Sequence, residues 1–152
     1  KDRKVHLLGF SQQDFIKHHR PYSCDVSSLL FCQRMGTLYL YMGGGRMDYS
    51  LTRRKILARG LSRSHLDAFR ALGIDGYHFM RAEGWKKWSM LASVRSYAAY
   101  TDELERECGT LLFAAIGAQQ QIMSWFCDAY DAYRANPTNA FAIGRDVPAG
   151  VR

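Results

Sequence analysis

His18 and His19 precede Cys24 and Cys32 closely enough that a mixed His/Cys metal cluster can be drawn from this chain of 152 residues. Zinc sites are built from ligand pairs two to five residues apart on each side. Here adjacent histidines on a helix point to different faces, and the Cys24 to Cys32 spacing is too loose. His6, His65 and His78 have no matching Cys or carboxylate spacing, so surface or packed positions are expected for them. A nucleophilic centre would need a Ser or Cys beside a base and an orienting group. Neither Gly-x-Ser-x-Gly nor a family-type Cys signature occurs, and most serines stand where helix capping explains them. Gly43–Gly45 is not followed by Gly-Lys-Ser/Thr, so it does not read as a phosphate loop. Asp102, Glu103, Glu105 and Glu107 read as a solvated helix end. The expectation is a non-enzyme with no catalytic, cofactor or metal site.

The remaining chemistry is that of binding. Arg53, Arg54, Lys55, Arg59 and Arg63 crowd the segment "GLSRSHLDAFRALGI" at 60–74, and "GWKKW" sets Trp85 and Trp88 among lysines. Cations with aromatic rings are the raw material of single-stranded nucleic-acid contacts and of protein interfaces alike. The Gly-x-Ser before a short helix resembles the recognition half of the DNA-binding domain of bacterial activators, over about 15 residues. That resemblance implies base reading by the helix. It departs from the family in the spacing from Ala58 to Gly60, which is too short, and Asp67 would face phosphate. A structural helix is the expected reading.

Elements that could position these residues follow from apolar spacing and stop signals. A first helix is expected from Ser11 as cap to about Arg20, with Phe10 stapled to Phe15 and Pro21 as the stop. A second is expected in "DVSSLLFCQRM", capped by Asp25. "TLYLYMGGG" suits a strand by composition, but no second strong strand offers to pair with it, so a helical end running into a glycine loop is expected. Further helices are expected from Ser50 to Gly60 and at about 65–72, the latter with Ser64 and Asp67 at its start. Gly73 would be its left-handed stop, with Ile74 folded back on Phe69. A longer helix is expected from Trp85 to about Cys108, and a last one from Thr110 to Ala135, closed by Asn136-Pro137.

The resulting expectation is an all-α fold of five or six helices: one domain over 1–136 and an extended C-terminal tail over 137–152. Apolar residues make up 47% and charged residues 23%, the balance of a globular chain. The net charge of +7 is uneven, with +10 over residues 1–100 and −3 over 101–152. Such a basic region favours an acidic partner. Four cysteines without a paired pattern fit reduced thiols in an intracellular, reducing compartment. Residues 109–127 carry no charge and are long enough to cross a bilayer, but three glutamines near their centre argue for burial in protein. Arg34 excludes 26–45 similarly, leaving contact with a membrane-embedded partner as the only membrane role. The expected function is a non-catalytic accessory subunit of a larger assembly, placed in a mitochondrial complex such as the respiratory chain or ribosome. Its partners would be other protein subunits. The alternative is a nucleic-acid module, contacting RNA through the basic segment 46–70.

Overall fold

The computed structural model describes residues 4–9, 12–27, 35–81, 84–114 and 120–135. Helices and strands are mixed, which overturns the all-α expectation. Strands β1 (His6–Leu7), β2 (Ser23–Val26) and β5 (Leu111–Ala114) form a parallel sheet in the order β1-β2-β5. Strands β3 (Thr37–Tyr41) and β4 (Met47–Thr52) form an antiparallel hairpin. The helices described throughout are α1 (Gln13–His19), α2 (Arg53–Arg59), α3 (Arg63–Ala71), α4 (Trp85–Cys108) and α5 (Gln120–Ala135), with a 3-10 turn at Gly76–Met80.

Several expected elements change identity. Asp25 caps no helix: it lies in β2, and its Oδ1 accepts the Gly9 N–H at 2.5 Å. Most of the helix expected there, 28–34, falls outside the described residues, and its last residue, Met35, is helical. "TLYLY" is a strand because "MDYSLT", whose tail was read as the start of a helix, supplies its partner. The turn between them needs left-handed backbone at Gly43, Gly44 and Gly45 (φ 80°, 60° and 67°), which explains the triple glycine. Residues 110–135 are not one helix, since Leu111–Ala114 pairs with β2; α5 is described over Gln120–Ala135. A continuous span over 109–127 is therefore excluded, and no described helix is long and apolar enough to cross a membrane. Helix α1 starts later than expected, after Gln12, which makes no capping bond; Phe10, Ser11 and the tail 137–152 lie outside the described residues.

Helix α4 is the organising element, packing on β3, β5, α1 and α5. Thirteen of its 24 residues are buried, so it has no clear polar face. Ser89, Ser93 and Ser96 are wholly buried along it. These small side chains let β3 approach closely, and the Ser93 hydroxyl accepts the Tyr39 N–H at 3.2 Å. Its Met90 and Tyr100 pack with Leu38, Leu40, Tyr41, Phe69 and Phe79 in one core, all at most 1% exposed. On the parallel sheet, Leu7, Cys24, Val26 and Leu112 face this core.

Candidate interaction surface

Helices α2 and α3 are joined by Gly60, Leu61 and Ser62, and form the most basic part of the described chain. Thr52 caps α2 by accepting the Lys55 N–H at 3.2 Å. Ile56 is its single buried residue; the other six face solvent. Helix α3 is capped by Ser62 and His65 rather than by Ser64 and Asp67. The Ser62 hydroxyl accepts the His65 N–H, and His65 Nδ1 accepts the Ser62 N–H, both at 3.3 Å. The far nitrogen, Nε2, then carries the proton and donates to Asp48 Oδ2 at 3.1 Å, tying α3 to β4. At the other end Ile74 N–H reaches the Phe69 carbonyl at 2.9 Å around a left-handed Gly73 (φ 67°). The Arg95 guanidinium closes the last carbonyls, donating to Leu72 and Gly73 at 3.0 Å each.

His65 thus satisfies a helix start and bridges two elements with one ring. His65→Ala is expected to cost about 1–2 kcal/mol in urea unfolding, the combined loss of a cap and a half-buried hydrogen bond. Burial opposes ionisation of Asp48, but bonds from Ser50 and His65 outweigh it and hold the carboxyl below its ordinary value of 3.8. Its contribution is present above that pH and is lost as the pH falls through the lower folded value. The variant should therefore show a shallower acid destabilisation.

Arg53, Arg54, Lys55, Arg59 and Arg63 are all exposed. The first three occupy the first turn of α2 and Arg63 opens α3, and neither first turn contains an acid. Cations there oppose the helix dipole at roughly 0.3–1 kcal/mol each. Of the nearby acids, Asp48 bonds His65 and Asp67 lies 2.8 Å from Arg70. Beside the cations lies an open groove of about 640 Å³ lined by Met35, Gly36, Thr52, Arg53, Arg54, Leu57 and Ala58. Met35 is 66% exposed and Leu57 50%.

The two tryptophans do not join this surface. Trp85 is a core residue, 7% exposed and edge-on to Phe79, so it is withdrawn as a partner or nucleobase contact. Trp88 is half-buried, with the His78 ring stacked on it at 3.9 Å. The acidic run at the end of α4 is not simply solvated either. Glu103 is 4% exposed and accepts a hydrogen bond from the Tyr41 hydroxyl. Asp102 accepts from Tyr133 at 2.8 Å, and Glu107 lies 3.9 Å from Lys17.

Sequence reading also missed a Ser-His-Asp group. His6 pairs in register with Ser23, and Asp25 lies two residues on, so all three share one sheet face. His6 Nδ1 is 2.8 Å from Ser23 Oγ, but Nε2 is 3.8 Å from Asp25, and Ser23 is only 5% exposed. A nucleophile must reach its substrate, so this group fastens β1 to β2. Cys24 is buried as well, and burial chiefly, with Asp25 beside it, pushes its thiol from 9.0 to about 11. Thiol-specific labelling of the native protein at neutral pH should modify exposed Cys127 rapidly and Cys24 only on unfolding. The same shift makes the fold lose stability as pH rises from about 9 towards about 11, where only the unfolded thiol ionises. His18 and His19 touch each other edge-on, and among the described residues no three His, Cys, Asp or Glu side chains converge as a metal site. Compared with known proteins, the chain matches no family model, no curated protein and no solved structure.

Proposed function

We propose that this protein is a non-catalytic subunit of a larger assembly, docking through its α2–α3 face onto an acidic protein surface. The observation that carries this reading is the exposed cationic face made by Arg54, Lys55, Arg59 and Arg63 on two helices whose first turns hold no acid. That arrangement raises the energy of the isolated chain and is relieved when a negatively charged surface covers it. Exposed Met35 and Leu57 next to arginines are the composition of a protein interface; a nucleic-acid groove would carry fewer apolar side chains.

The test is charge reversal in a tagged full-length chain expressed at native abundance. Wild type should migrate with partner proteins in a complex resistant to nuclease, and Arg54→Glu with Arg59→Glu should release it while leaving the circular dichroism unchanged. A complex that survives the double reversal, or one dissolved by nuclease, would refute the reading.

A further inference from the structure

Ser96, Tyr100 and Glu103 stand on successive turns of one face of α4, at helical spacings of four and three residues. They are 0%, 1% and 4% exposed, and Ser96 Oγ, Tyr100 Oη and Glu103 Oε1 have no hydrogen-bond partner in the protein. The Tyr100 ring lies against that of Tyr41, with centroids 5.9 Å apart, and the Tyr41 hydroxyl donates to the other oxygen of Glu103. Tyr100 and Glu103 therefore line one pocket, with Ser96 one turn back along the same face. Burial chiefly, with neighbouring charges that include Glu103, pushes the ionisation of Tyr100 far above its ordinary value, so its hydroxyl stays protonated. A buried polar atom without a partner bears its full desolvation cost, and protein interiors meet such groups with held water.

We infer that this face of α4 is a hydration site built into the core, in which water donates to Glu103 Oε1 and is shared with the hydroxyls of Tyr100 and Ser96. The chemistry of the lining selects this occupant. The Glu103 carboxylate repels an anion. A metal cation is disfavoured as well, because the charge of Glu103 already has an answer: a Cβ built on Gly45 would strike Lys17 Nζ and meet Glu103 Oε1 at 3.4 Å, so ammonium and carboxylate face the same small space. Lys17 is held there by the Gly44 carbonyl at 3.2 Å and by Glu107 at 3.9 Å. What remains is a small neutral molecule that donates to a carboxylate and both donates to and accepts from hydroxyls, which is water. An ionised carboxylate oxygen has room for two donors, so one water leaves Glu103 still dependent on the Tyr41 hydroxyl.

The experiment uses the full chain. Magnetic relaxation dispersion of water counts molecules held inside a protein for longer than it takes to tumble. Wild type should show such waters, and Tyr100→Phe and Ser96→Ala should each lose about one water's worth of that signal. Urea unfolding adds a sign. Tyrosine and phenylalanine have nearly equal helix propensity, so Tyr100→Phe reads the hydroxyl alone. In a wet site that hydroxyl is a partner of water, and losing it lowers the urea midpoint. In a dry site it is an unpaired group, and removing it raises the midpoint. A dispersion signal unchanged in both variants, or a Tyr100→Phe midpoint at or above that of wild type, overturns the inference. So does a wild-type midpoint raised by sodium or potassium over tetramethylammonium at equal ionic strength, by an amount that Tyr100→Phe removes, since that assigns the site to a cation.

Discussion

Tyr41→Phe should destabilise the protein by about 3 kcal/mol, far more than the loss of one hydroxyl would suggest. The Tyr41 hydroxyl donates to Glu103 beneath the glycine turn, and the second carboxylate oxygen has no hydrogen-bond partner. Burial first, and the bond to Glu103 second, push the ionisation of Tyr41 far above its ordinary value, so it remains a donor across the accessible pH range. Removing the donor leaves a carboxylate only 4% exposed with neither oxygen satisfied. Glu103→Leu in the same chain removes the charge that was stranded. The double variant should return to within about 1 kcal/mol of wild type, the residue being the Gly45 N–H that also bonds Tyr41 at 3.1 Å. Urea unfolding of the two single variants and the double gives the coupling directly. Simple additivity of the two losses would show that the pair is not coupled as described.

Phe69→Ala should cost about 3–5 kcal/mol and do so where binding is proposed. Phe69 is wholly buried, stacks on Phe79 at 4.6 Å, and Phe79 meets Trp85 edge-on at 5.7 Å. This chain of rings fastens α3 through the 3-10 turn to α4. Gly76 lies against it so tightly that an added methyl would come within 2.8 Å of Leu66 and 3.0 Å of Phe69. Hydrogen exchange should show α3 losing protection in Phe69→Ala before β3 and α4 do. Equal loss everywhere would mean that α3 is not a separable unit.

What could be read from the residues follows from how local each signal is. Helix α4 and the stop of α3 at Gly73 were legible because periodicity and glycine signals lie within a few positions. The capping of α3 was misassigned by two residues, since Ser62 and Ser64 both suit an N-terminus and only the His65–Asp48 contact to β4 distinguishes them. The sheet was not legible. β1 has two residues and β2 and β5 four each, too short for an alternating pattern, and their pairing is parallel between distant segments. β3 is buried along nearly its whole length, which hides the alternation that marks a strand. The cationic cluster was visible as composition, but the groove beside it was not, because Met35 and Leu57 line it from segments far apart in the chain. Trp85 could be read as a core ring or as a partner contact, because a ring beside lysines reads alike whether it packs inward or outward; the structure places it in the core.

Thr110 Oγ1 donates to the Pro21 carbonyl across 89 positions, and beside it β5 completes the parallel sheet. During synthesis β2 must therefore wait for nearly the whole hairpin and α2–α4 region to leave the ribosome before it meets its second neighbour. Closing so long a loop is slow, and strand edges stay open meanwhile.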